Sequence, residues 1–211
     1  MRTVFQIILG IAILVLAYFV YDSILTPIRF NKAKDVRENK TISRMEQIRE
    51  AQKAYKDVNT AYTGSFDTLI YFLKNDSFAI TKAIGTIPED LIDSVGITKA
   101  RNIALKRGII KRSVTKIPVM DSLYGKSFPV DSLQYVPFTK GKRFNMKAGE
   151  YVTPSNLTVK VVEVSVPYSV LLKGLDPQLV VNYADQRKKI TNYPGLKFGS
   201  ETEGTLTGNW E

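Results

Sequence analysis

Four side chains offer the raw material of covalent catalysis: Ser113, Lys116, Ser122 and Ser132. A serine hydroxyl becomes nucleophilic when a desolvated lysine amine beside it takes its proton, the Ser/Lys form of hydrolase chemistry. Nothing in their spacing sets these four apart from serines and lysines elsewhere in the chain. The residue types that would strengthen such a site are missing, since the chain has no His and no Cys. That removes the commonest general base and metal ligand, the thiol nucleophile, the disulfide and any Cys-ligated metal. No carboxylate run has calcium-loop spacing and no glycine run has phosphate-loop spacing, so neither metal nor cofactor is expected. Read for chemistry, this is not an enzyme; an anchored Ser/Lys hydrolase is the least favoured reading.

What remains are residues suited to holding surfaces. The chain carries a net charge of +10, and its basic residues cluster at Arg29, Lys32, Lys34, Arg37 and Lys40, with Arg44 beyond. Such a segment can contact anionic lipid, at roughly 1 kcal/mol per basic residue near the headgroups. It can contact nucleic acid, although no aromatic platform is interleaved beyond Phe30. Or it is simply a solvated helix face. Trp210, the only Trp, lies next to the last residue. Left in water it would expose a large apolar surface. Either the tail folds back onto the rest of the protein or Trp210 is a docking residue for a partner.

The element that positions all of these is the opening stretch from Val4 to Tyr21, VFQIILGIAILVLAYFVY, which has no formal charge. In helix at about 1.5 Å per residue it covers roughly 27 Å, close to the hydrocarbon thickness of a bilayer. Val4, Phe5, Ile8, Leu9, Ile11, Ile13, Leu14 and Leu16 supply its bulk. Tyr18, Phe19 and Tyr21 gather at the far end, where amphipathic rings favour the membrane interface. LAYFVYDS offers no small-residue cleavage site, so an uncleaved signal-anchor is expected rather than a removed signal. Residues 1–27 are read as the anchor.

After Pro27, which should kink or restart the helix, an amphipathic stalk is expected from about Ile28 to Val58. Phe30, Ala33, Val36, Ile42, Met45, Ile48, Ala51, Tyr55 and Val58 recur every three or four residues and make one stripe. Met45, Ile48, Ala51, Tyr55 and Val58 form its packing or partner face. Lys34–Glu38, Glu46–Arg49 and Glu50–Lys53 stand at helical pairing distance. Ser65 can open a short helix whose buried side is Phe66, Leu69, Ile70 and Leu73; it closes the segment 28–75. Residues 76–108 read as a helical connection, irregular from Asn75 to Gly96, with a helical turn opening at Pro88 and a helix from Ile97 to Arg107 stopped by Gly108.

The remainder, 109–211, is β-rich. Ile109 to Val119 reads as a strand, Asp121–Tyr124 and Asp131–Tyr135 as two similar strand starts, and Leu133–Phe138 with Arg143–Met146 as a hairpin. Leu157 to Val166 is the best strand, and its alternation slips at Val161–Val162, which predicts a bulge or sharp coil. Tyr168–Leu175 is ambiguous between types. Asp176 caps a helix to Lys189 with Pro177 at its first position, and Gly195–Phe198 is a last strand before a polar tail. The order argues for an α+β fold: a transmembrane helix, an amphipathic stalk, then a mixed helical and antiparallel β head.

Met45-Glu46-Gln47-Ile48-Arg49-Glu50-Ala51-Gln52-Lys53-Ala54-Tyr55, then Val58, Tyr62-Thr63-Gly64-Ser65-Phe66-Asp67 and Leu69, resembles the second half of the long helix of type IV pilins and pseudopilins. The likeness covers about the first 75 residues, in which an IR-x-AQ-x-AY run precedes a Gly/Tyr turn and a short helix. It implies a β-sheet head outside the cytoplasm. The chain lacks the Gly-Phe processing site and the early Glu of the apolar run, where Gln6 is the nearest polar residue. The resemblance therefore implies a non-cleaved pilin-like or assembly-platform subunit. The end of the chain, Pro194-Gly195-Leu196-Lys197-Phe198-Gly199-Ser200 and Gly208–Glu211, is also similar to a group of single-pass membrane proteins with no assigned activity.

The expectation is thus a single-pass protein of the cytoplasmic membrane whose head binds other envelope proteins, or copies of itself, rather than nucleic acid. The basic residues just past the anchor favour a cytoplasmic head by the positive-inside rule, against the extracytoplasmic side that the resemblance implies. The alternative is a cytoplasm-facing module that uses its basic stalk on anionic lipid or nucleic acid.

Overall fold

The computed structural model describes residues 2–211, with side chains described except at positions 4, 79–84 and 111–114. One helix dominates: α1 runs without interruption from Arg2 to Asn59 with Pro27 inside it. The restart expected at Pro27 does not occur. A proline removes one hydrogen bond, here to the Ser23 carbonyl, and helix on both sides carries the chain across that single gap.

The chain divides into two compact units. The first comprises the chain up to Phe66 together with Asp131–Glu211; the second is Asp67–Val130. In the first, an antiparallel sheet of order β3-β4-β5 is formed by Asn145–Val152, Thr158–Pro167 and Gly195–Ser200. Between β4 and β5 lie the short α6 (Tyr168–Leu171) and α7 (Pro177–Thr191). Pairing of Met146 with Val164 and of Val164 with Phe198 sets these three side by side, and directly opposed residues share one sheet face. Val162 opposite Ala148, and Val166 opposite Leu196, extend that face. Val162, Val164, Val166, Leu196 and Phe198 are all at most 1% exposed, and burying each stabilises the fold by about 1.5–3 kcal/mol. The second half of α1 covers this face, with Gln52 Nε2 3.0 Å from Met146 Sδ. The other face is charged, with Lys197–Glu163 at 3.3 Å and Lys147–Glu201 at 2.8 Å.

The bulge expected at Val161–Val162 is absent. Register runs unbroken from Asn145↔Ser165 to Val152↔Thr158. Both valines are buried, so alternation fails because both faces of this central strand are covered, not because the strand slips. The 176–189 reading holds: Asp176 Oδ1 accepts from Leu179 N at 3.0 Å, Pro177 opens α7, and Asn192 ends it in the left-handed region. The ambiguous Tyr168–Leu175 begins as helix α6. The expected hairpin is a narrow one, held by Val136 N to Lys142 O at 2.8 Å and Phe144 N to Gln134 O at 3.0 Å, and it leads into β3, which is longer than the sequence indicates.

In the second unit, α2 (Phe66–Asn75, its first residue in the other unit) is followed by β1 (Ser77–Ile84), α3 (Glu89–Val95), α4 (Ile97–Lys106), β2 (Lys111–Pro118) and α5 (Val119–Leu123). The expected buried side of α2 is correct, with Leu69 and Leu73 fully buried. The irregular reading of residues 75–96 is not: β1 pairs antiparallel with β2 from Ser77↔Pro118 to Ile84↔Lys111. Lys82 interrupts its alternation, and its partner lies far along the chain, so no local signal marks it. The two expected strand starts are helical instead, α5 and a 3-10 turn at Val130–Gln134. Asp121 and Asp131 sit in their first turns, where an acid complements the helix dipole.

Candidate interaction surface of the long helix

The apolar first half of α1 is open along most of its length among the described residues. Phe5, Ile8, Leu9, Ile11, Ile13, Leu14, Leu16, Tyr18, Phe19 and Tyr21 are 52–72% exposed, and none of its most apolar window is buried. Val4 lies in the same helix, its side chain outside the description. By length and composition this is one helix apolar enough to cross a membrane. A helix apolar on every face has no reason to stay in water.

From Phe30, which is buried, the helix changes character. Met45, Ile48 and Ala51 are completely buried, Tyr55 is half-buried, and Val58 is 49% exposed. Val36, at 55%, also leaves the stripe. The stripe thus packs on its own sheet, and it opens to solvent at Val36 and at its far end, Val58. Two polar residues missed by hydropathy belong to the buried face. Thr41 returns its hydroxyl to the Arg37 carbonyl at 2.7 Å, and Gln52 binds the main chain of Thr63.

The structure sorts the basic segment into two sets. Arg37 donates to the carbonyls of Leu171 at 3.1 Å and Lys173 at 3.0 Å, the end of α6, where last-turn carbonyls lack helical donors. Arg44 donates to Ser132 Oγ at 2.6 Å, which commits one candidate nucleophile to a structural bond. Lys34 pairs with Asp35 at 3.2 Å rather than with Glu38, and its amine lies 4.5 Å from the Tyr183 ring centre. Arg29, Lys32 and Lys40 are exposed.

Glu38 is taken by Tyr183, whose hydroxyl donates to it at 2.9 Å. The Tyr183 ring packs 4.8 Å from that of Tyr168. The Tyr168 hydroxyl is buried close to both groups without a well-formed hydrogen bond of its own. Burial raises both phenols above the ordinary tyrosine value, most strongly Tyr168, with the Glu38 charge acting in the same direction on each. Two neutral phenols beside one carboxylate make a clamp between α1 and α7.

Trp210 belongs to a tail that returns to the sheet. Gly199 N donates to Thr207 O at 3.1 Å and Asn209 N to Lys197 O at 2.9 Å, with a bridge between Phe198 and Gly208. Asn209 also accepts from Lys197 N through Oδ1 at 3.1 Å, and donates to Gly195 O at 2.9 Å. Arg187 Nη2 donates to Asn209 O at 2.9 Å, and Arg49 pairs with Glu211. The Arg49 guanidinium holds the Glu211 carboxyl below its ordinary value. Half-buried Trp210 lies over Gly208, where an added Cβ would sit 2.5 Å from ring atoms. This is the folded-back arrangement that Trp210 points to, while nothing in the sequence marks Asn209 as the residue that holds it.

Neither the Lys116 nor the Ser122 side chain has a hydrogen-bond partner among the described residues, and Ser113 falls outside the described side chains. No group of three or more metal-ligating side chains occurs among the described residues. Compared with family models, curated proteins and solved structures, the chain matches none.

Proposed function

We propose that the chain is a single-pass protein of the cytoplasmic membrane, a non-catalytic, pilin-like structural subunit of an envelope or secretion assembly, with its head outside the cytoplasm. The observation that carries this reading is the continuity of α1: exposed apolar helix up to Ile24, and core of the head from Phe30 on, with no break between. A rigid helix shared by both regions fixes the height of the head above the lipid, so its role is positional. Protein contact surfaces then lie at a set distance from the membrane, and the membrane and other envelope proteins are its partners.

Two measurements test it. Carbonate-washed membranes should retain the full chain; release into the soluble fraction would remove the anchor. A reporter active only outside the cytoplasm, fused after Glu211, should be active. A silent reporter would place the head inside and favour the second reading, which the exposed Arg29, Lys32 and Lys40 support: a cytoplasm-facing module on anionic lipid or nucleic acid.

A further inference from the structure

Two exposed patches of opposite chemistry have no partner within the described residues. The first is the hairpin tip between Tyr135 and Arg143, a loop held by Gly141 N to Thr139 O at 2.8 Å and Thr139 Oγ1 to Val136 O at 2.7 Å. At its end Phe138 is 57% exposed and adopts a φ of 60°. A bulky non-glycine residue is strained there, and strained residues gather at binding sites. Around it stand Lys140, Lys142 and Arg143, all exposed, with the half-open Tyr135 ring beneath Arg143.

The second patch is α3 and the residues after it. Glu89, Asp90 and Asp93 are exposed and unpaired, with no basic residue between Thr86 and Thr98. No residue of α3 is buried, and Val95 and Ile97 are 37% and 61% exposed. Three acids beside an apolar patch complement three cations around an apolar ring in both sign and character. In a chain of net charge +10, copies repel one another unless opposite charges are brought face to face.

We infer that the Tyr135–Arg143 loop of one copy docks on α3 of a second copy. The inference rests on the assembly reading above and names its partner. The contact joins two different surfaces, so it is head-to-tail and propagates into a row or ring rather than closing as a pair. A single-stranded nucleic acid could also use cations and an aromatic ring, but the chain itself already supplies the acidic complement.

The test uses the full chain in mild detergent. Self-association should be measurable by sedimentation and should weaken with salt. Lys140→Glu with Lys142→Glu and Arg143→Glu should weaken it at least about tenfold, as should Glu89→Lys with Asp90→Lys and Asp93→Lys, and all six together should restore it. Circular dichroism identifies variants that fail to fold. Independently, Phe138→Cys protein mixed with Asp93→Cys protein should form a mixed disulfide dimer in excess over either homodimer. The chain has no other Cys, and with one Cys per copy no intrachain bond can form. A monomeric wild-type chain, absence of the mixed dimer, or binding of single-stranded oligonucleotide by a monomer through the loop would overturn the inference. Retention in washed membranes would leave the anchor reading standing in each case.

Discussion

The side-chain amide of Gln52 binds both main-chain groups of Thr63, Nε2 donating to the carbonyl at 2.7 Å and Oε1 accepting from the N–H at 3.2 Å. A helix side chain here acts as a strand would, pairing the turn that leaves α1 while staying completely buried itself. That turn brings Gly64 against β3, where an added Cβ would lie 3.2 Å from Ala148 N. One amide thereby ties the end of the helix to the sheet it covers.

Gln52→Leu should therefore destabilise more than its gain in apolarity suggests. It leaves the Thr63 N–H and C=O buried without partners, at about 1–3 kcal/mol each. A fall of about 2–4 kcal/mol is expected, read from thermal melting of the detergent-solubilised chain followed by circular dichroism. An unchanged melting temperature would show that the amide is dispensable.

Gly199→Ala should be among the costliest single substitutions in the sheet. Gly199 has a φ of 74°, and an added Cβ would stand 2.0 Å from the Val162 carbonyl oxygen, backbone that cannot rotate away. Backbone strain and steric overlap each cost about 1–3 kcal/mol. Loss of near-ultraviolet circular dichroism at room temperature is the expected outcome, with Gly204→Ala, which meets only the Val159 side chain, affected less.

The tail should detach in acid. Arg49 lowers the Glu211 carboxyl from its ordinary value of 4.5, so the folded tail favours the ionised form. The contribution of this ion pair to the tail's attachment is then complete above that value and is lost as pH falls through the lowered one. Trp210, the only Trp, reports this directly: its emission should shift to the red on acidification. Arg49→Gln should produce the shifted emission already at neutral pH and flatten the titration.

Alkali should unfold the clamp of Tyr168 and Tyr183. Burial raises both phenols, so the folded state holds protons that the unfolded chain releases above the ordinary value of 10.0. Stability from this source is full below that pH and falls as pH rises past it. Spectrophotometric titration should show two tyrosines ionising late and together with unfolding. Tyr183→Phe should lose its bond to Glu38, cost about 1–3 kcal/mol, and leave one late phenol.

Helices α2, α4 and α7 and their ends were legible, because their signals are local. The α7 cap at Asp176 and Pro177, the stop at Gly108 and the buried side of α2 follow from neighbouring residues alone. Strand β1 was not legible, since Lys82 breaks its alternation and its partner β2 lies beyond two helices. Val161 and Val162 read as a slipped register when they are simply covered on both sides, a distinction that depends on what packs above and below.

The same division runs through the candidate surface. Composition and order alone determine a long apolar helix at the start of the chain, the absence of His and Cys chemistry, and an α+β arrangement, because these depend on residue identity and near neighbours. Tertiary structure decided which charges remain available. Arg37 and Arg44 look like Arg29 and Lys40 in sequence, yet their bonding partners are brought in from residues 171–173 and 132. It also decided that Gln52 is core, that Trp210 lies back over Gly208, and that Phe138 stands exposed. The bonds of Arg37, of Arg44 and of the returning tail join distant parts of the chain, and such contacts exist only once the sheet has closed against the helix.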